Sequence, residues 1–267
     1  MMDDGPELTL PEELLLLCAS PSTGVLERPR YFTRVLAGGV LAELQLRGAI
    51  TITDSRIAEV TPVELLDPIM DRALARIVLD VRLGRPGARQ TRLVGLPTDY
   101  DGVPGPTPTT DWGRRVARAR VVMRAAGAGT QPPRELRSWM GYAEFHDLDR
   151  RYAEALERRG MLVADRRRTL GIVPFTRWTV SSYDPLRRMA DRIDLELRPH
   201  LYGRPPVPPS LRTVHLMALA GVAGTVQHLY PLREHPDLRR YIERLTAGHA
   251  LAHAAYELIK SDEERDS

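Results

Sequence analysis

The chain has 267 residues, 38 basic and 35 acidic side chains, and a formal charge of +3. A chain this long buries roughly three quarters of its unfolded surface, and 43% apolar with 27% charged residues excludes a fibrous or disordered protein. One cysteine, Cys18, excludes an internal disulfide framework and a cysteine-rich zinc site.

The acidic start Met1-Met2-Asp3-Asp4 is not that of a secretory signal. Thr9-Leu10-Pro11-Glu12 then reads as a capping box with proline in the first turn, opening a short apolar helix that Pro21 and Gly24 break. Apolar spacing from Val35 to Leu46 predicts a second helix over about 30–47, closed by Gly48. Alternation over 50–53 and 56–60 about Asp54-Ser55 predicts a β-hairpin, followed by a third helix over 67–81.

Glycine and proline then crowd residues 83–111, an arginine-rich helix is expected over 112–126, and 127–133 breaks again. Residues 83–128 therefore read as an insertion. Helices are predicted over 134–145 and 147–159, with Gly160 stopping the second. A second hairpin follows, with Arg166, Arg167 and Arg168 in its turn and 170–173 returning. Further helices are expected over 184–197, 210–229 and 236–259, and a frayed tail over 261–267. The uncharged stretch 213–232 is long enough to span a bilayer. His215, His228, Gln227, Gly221, Gly224 and Pro231 within it favour the centre of a helical bundle instead.

Few residues point to catalysis. His249 and His253 have the i, i+4 spacing of two metal ligands, but Ala250 stands where a zincin needs glutamate. Asp147 and Asp149 flank a basic helix and read as ion-pair partners. No phosphate loop or nucleophile elbow occurs, so the expected catalytic residues, metal and cofactor are none.

The arginines say more, for 37 of the 38 basic residues are arginine. Its planar fork binds phosphate at two points. Arg28, Arg30 and Arg34 surround Tyr31 and Phe32. Arg150 and Arg151 precede the second hairpin, where Arg166, Arg167 and Arg168 are followed by Phe175 and Trp178. Basic residues beside aromatics suit an anionic membrane surface. A solvated face and a half-buried hairpin fit the same residues, as does a protein–protein adaptor. Two helix–hairpin units, 41–50 and 152–162, also raise a winged-helix nucleic-acid binder, although residues 35–46 hold no basic side chain.

Five segments, in order, resemble the Golgi phosphoprotein 3 family, including its bacterial and especially actinobacterial members. They are Leu8-Thr9-Leu10-Pro11-Glu12-Glu13-Leu14-Leu15-Leu16-Leu17, then Leu36-Ala37-Gly38-Gly39-Val40-Leu41-Ala42-Glu43-Leu44-Gln45-Leu46-Arg47-Gly48, then Leu66-Asp67-Pro68-Ile69-Met70-Asp71-Arg72-Ala73-Leu74, then Thr130-Gln131-Pro132-Pro133 with Trp139, then 156–162. The resemblance covers about 7–260 apart from the insertion. It implies a mainly α, single-domain helical bundle ringed by amphipathic helices, with one or two β-hairpins.

For function the resemblance implies peripheral binding to an anionic phospholipid headgroup, phosphatidylinositol 4-phosphate. It places the protein in the cytoplasm at the inner face of the membrane, and gives no reason to expect a nucleic-acid partner. It further implies binding to cytoplasmic tails of membrane enzymes, known in eukaryotic members, and self-association through the hairpin. Ungapped matching sets Arg28 at the family's pocket tryptophan, and Ala37, His146 and Asp149 at its three arginines. The lipid site expected for this chain is therefore Arg28, Tyr31, Phe32, Arg34, Arg150 and Arg151. The expected membrane hairpin carries Arg166, Arg167, Arg168, Phe175 and Trp178.

Overall fold

The computed structural model describes residues 8–65, 67–82, 92–93, 135–142, 145–169, 173–201, 208–230 and 232–267. Among these it is mainly helical, with nine α-helices and two antiparallel hairpins. Apart from Arg92–Leu93, the insertion expected over 83–128 lies outside the described residues. Two compact units are distinguished, 1–43 with 146–267, and 44–145.

The first unit is built around α1 (Leu10–Leu16), every residue of which is buried. Glu12 reaches back to the Thr9 amide at 2.8 Å, the reciprocal half of the expected capping box. Around α1 pack α5 (Leu148–Arg158), α6 (Asp184–Leu201) and α7 (Leu211–Ala223). The unit also holds most of α2 (Phe32–Leu46), the hairpin β4 (Leu162–Thr169) and β5 (Val173–Val180), α8 (Pro236–Gly248) and α9 (Ala250–Asp266).

Burying α1 brings Glu12 and Glu13 inside, where a carboxylate needs a partner. Arg159 reaches Glu12 at 2.6 Å and Arg192 reaches Glu13 at 3.0 Å. Arg212 lies 3.3 Å from Glu13 and 3.1 Å from the equally buried Glu43 of α2, and donates to the Leu8 carbonyl. Burial nevertheless leaves Glu13 above the usual carboxylate range, although Arg212 and Arg192 pull it down.

Helix α7 is central, with residues 215–220 buried. It has 13 residues, and no helix among those described is long and apolar enough to cross a membrane. The helix expected to reach 229 ends at Gly224, whose positive φ of 70° closes it, and a 3-10 turn, Thr225–His228, follows. Gly221 lets α8 approach closely. A Cβ there would meet the Thr246 Oγ1 at 2.4 Å and Ile242 Cγ2 at 3.2 Å. Gly221→Val should therefore destabilise the protein by about 1–3 kcal/mol, the usual result of overpacking. An unchanged urea midpoint would contradict this contact.

The second unit pairs β1 (Ile50–Thr53) with β2 (Arg56–Val60) antiparallel, and β2 with β3 (Arg92–Leu93) in parallel. Helices α3 (Pro68–Arg82) and α4 (Leu136–Met140) complete its described elements. Its core includes Leu74, Ile77, Leu136 and Trp139, all at 0% exposure. Asp80 is fully buried and is met by the Tyr142 hydroxyl and by Arg76.

The two helix–hairpin units share one stop. Gly48 and Gly160 both take positive φ, and the next amides, of Ala49 and Met161, donate to the carbonyls of Leu44 and Leu156. Three expectations change. Residues 236–259 form two helices, because His249 leaves helical geometry and its side chain caps α9. The tail expected to fray continues α9 to Asp266. The arginines expected in the second hairpin's turn lie inside strand β4 instead.

Candidate functional site

Residues 25–34 run between the second hairpin and α2. The Leu26 amide donates to the Trp178 carbonyl at 2.9 Å, and Val25 bridges to Thr179. This fixes Arg28 against α5 and β5. Its guanidinium lies 5.3 Å from the centre of the Trp178 ring and forms an ion pair with Asp149. Arg28 and Asp149 thus face each other as opposite charges.

Beyond Arg28 the backbone turns through Tyr31, whose φ of 59° is left-handed and unusual for a bulky residue. The Phe32 ring is buried at 3% exposure and anchors the start of α2. Arg30, Tyr31 and Arg34 meet the end of α9. Arg34 Nε donates to Asp262 Oδ2 at 2.8 Å, and Arg30 lies 2.5 Å from Asp266 Oδ2. The Tyr31 hydroxyl donates to the same carboxylate oxygen at 2.6 Å, which pushes the phenol up and Asp266 down from their ordinary pKa values. Arg30 also stacks 4.8 Å from the Tyr31 ring centre.

On α5, Arg150 is exposed and pairs with Glu154 at 3.0 Å and Asp147 at 3.7 Å, while Arg151 is partly buried. The following hairpin pairs Leu162 with Val180 and runs in register to Thr169 with Val173. Arg166, Arg167 and Arg168 stand opposite Thr176, Phe175 and Pro174. Apart from the Val25–Thr179 bridge, no third strand joins this ribbon among the described residues. Arg166 is exposed and reaches Glu157 at 2.7 Å; its hydrogen bond is the main reason that carboxylate sits below its ordinary range. The side chains of Arg167, Arg168 and Phe175 lie outside the described set.

Trp178 was expected at the membrane interface. Its ring is 6% exposed, beneath Arg28, and it belongs to the core of the hairpin's root. Phe32 is likewise a core residue. The structure thus brings Arg28 to Trp178 beside α5, gathers Arg30, Tyr31 and Arg34 at α9, and sets Arg166 over Glu157. Asp149, read from the sequence as an ion-pair partner, pairs with Arg28, whereas sequence reasoning missed Asp262 and Asp266. Their only signal was being carboxylates in a terminal segment.

His215 Nδ1 and His249 Nε2 are 2.7 Å apart, and burial lowers both pKa values to about 4. His253, the other member of the expected pair, is exposed on α9. No group of three or more metal-ligating side chains occurs among the described residues. Burial raises the Cys18 thiol well above its ordinary pKa, so it is an inert core residue. A cavity of about 690 Å³ between α7, α8 and α9 includes none of the expected lipid-site residues in its lining.

Helix α2 is buried from 35 to 44. A family model described as Golgi phosphoprotein 3 (GPP34) matches residues 10–261. No curated protein matches the chain.

Proposed function

The chain belongs to the Golgi phosphoprotein 3 family, and on that premise we propose a non-enzymatic, peripheral membrane protein that binds an anionic phospholipid headgroup, phosphatidylinositol 4-phosphate. It acts in the cytoplasm at the inner membrane face. Headgroup binding is assigned to Arg28, Arg30, Tyr31 and Arg34 with Arg150 and Arg151. Surface attraction is assigned to Arg166, Arg167 and Arg168, and Phe175 contributes apolar contact. Phe32 and Trp178 serve as supports. Tail binding to membrane enzymes and self-association through the hairpin belong to the same proposal on family membership alone.

The observation that carries this reading is the ribbon β4–β5. Its outer half bears three consecutive arginines and pairs with no further strand among the described residues. Each cation near an anionic surface contributes about 1 kcal/mol. Changing Arg166, Arg167 and Arg168 to glutamine should reduce binding to anionic liposomes mainly at low salt, where charge is least screened. Phe175→Ser should reduce it at every salt concentration. If both variants melt like the parent and bind as well as it does, the assigned surface is wrong and a protein adaptor without lipid binding becomes the better reading.

A further inference from the structure

Helix α9 ends on Asp262, Glu263, Glu264 and Asp266. These acids lie at the negative end of the helix dipole, where anions are disfavoured and cations favoured. Two of them nevertheless have close partners. Asp262 accepts from Arg34, and Asp266 accepts from both Arg30 and the Tyr31 hydroxyl. Two carboxylates thus occupy three donors that the proposed function assigns to a phosphate. Oxygen acceptors on planar guanidinium and phenol donors are what a phosphomonoester would offer at the same place.

We propose that the last turn of α9 is an internal, competing ligand that closes the Arg30–Tyr31–Arg34 site and is displaced by a phosphorylated headgroup. The inference rests on the lipid reading above and adds its regulation. Three features make the closure reversible. Arg30 and Asp266 are 69% and 49% exposed, so their pair is weak. The acids themselves oppose the helix dipole. Tyr31 holds a left-handed backbone while its hydroxyl donates to Asp266, so the closed site carries backbone strain. Displacement releases an end turn only, since the buried residues of α9, Leu251, Ala252, Ala254 and Ala255, lie in its first two turns.

The test compares the parent with the double variant Asp262→Asn/Asp266→Asn. Each is titrated with phosphatidylcholine vesicles containing phosphatidylinositol 4-phosphate, and separately with inorganic phosphate. Glu263→Gln/Glu264→Gln is the control, because it changes net charge equally on exposed residues of the same turn. The aspartate variant should bind vesicles about tenfold more tightly than the parent, the equivalent of 1.4 kcal/mol, and the control should gain much less. Equal vesicle binding by parent and aspartate variant overturns the closure and leaves the lipid reading intact. An equal gain by the control also overturns it, as a general charge effect.

If no protein binds vesicles but the aspartate variant alone binds phosphate, the closure stands and the lipid reading fails. If nothing binds either probe, both are overturned. Amide exchange on the parent chain covers the case of a variant that does not fold. Vesicles or phosphate should strip protection from residues 262–266, and unchanged protection on saturation contradicts the closure.

Discussion

Replacing Arg212 by alanine should remove about 3–5 kcal/mol of stability, because it takes away the cation that two buried carboxylates share. Against an ordinary total of about 5–15 kcal/mol, that loss brings the protein close to unfolding. Arg212 is 16% exposed, and Glu13 and Glu43 are 5% and 3% exposed. All three hold α1 against α2 and α7. Arg192 still reaches Glu13 in the variant and the Leu10 amide still donates to Glu43 at 2.9 Å, but both carboxylates lose the cation they share. The deficit should narrow as pH falls. Glu13 is already raised by burial, and loss of Arg212 removes a charge that lowers it, so it protonates more readily. Urea unfolding at pH 7 and pH 5 measures both effects, and a loss below about 1 kcal/mol at pH 7 would contradict the buried role.

The second large effect is acid destabilisation through His215 and His249. The His249 Nδ1 accepts from the Ala252 amide at 3.2 Å, so Nε2 carries its proton and donates to His215 Nδ1. A further proton on either ring would set two donors against each other in a buried place. Burial disfavours the charged rings, so both folded pKa values fall to about 4, below the ordinary 6.5. Between these values the unfolded chain binds the extra protons and the folded chain does not. The stabilisation is therefore complete above about pH 6.5 and is lost as pH falls toward 4. Each imidazole adds up to about 1.4 kcal/mol per pH unit within that window. Ring-proton resonances of the two histidines should not titrate down to pH 5, and stability should drop between pH 7 and pH 5. A flat profile with both rings titrating near 6.5 would contradict the pair.

Much of the fold was legible because local signals agreed. Glu12 and Pro11 marked the start of α1, the apolar stripe of 35–46 marked α2, and Gly48 and Gly160 marked helix stops whose geometry the backbone repeats. The register of β4 was not legible. Asp165 to Thr169 is polar on both faces, so alternation cannot distinguish a turn from a strand there. The break at His249 was hidden because Gly248 and Ala250 sit within an otherwise continuous helical pattern, and the side-chain cap that His249 gives the Ala252 amide has no sequence signature.

The site was half legible for a related reason. The arginines could be counted, but a charged side chain reads as solvated until its partner is known. Asp149 lies 121 positions from Arg28, and Asp262 lies 228 from Arg34. Trp178 misled in the opposite way. An aromatic beside arginine reads as an interface residue, yet its ring forms the buried floor on which Arg28 rests.

Co-sedimentation of the unaltered chain with vesicles decides whether it recognises an anionic headgroup. Vesicles of phosphatidylcholine alone would be compared with vesicles carrying phosphatidylinositol 4-phosphate, other phosphatidylinositol phosphates, phosphatidylinositol or cardiolipin, with duplex DNA as a soluble competitor. The expected result is salt-sensitive binding to the anionic vesicles, strongest for phosphatidylinositol 4-phosphate, absent from neutral ones and little affected by DNA. Equal binding to neutral and anionic vesicles, or none to any at low salt, would contradict headgroup recognition.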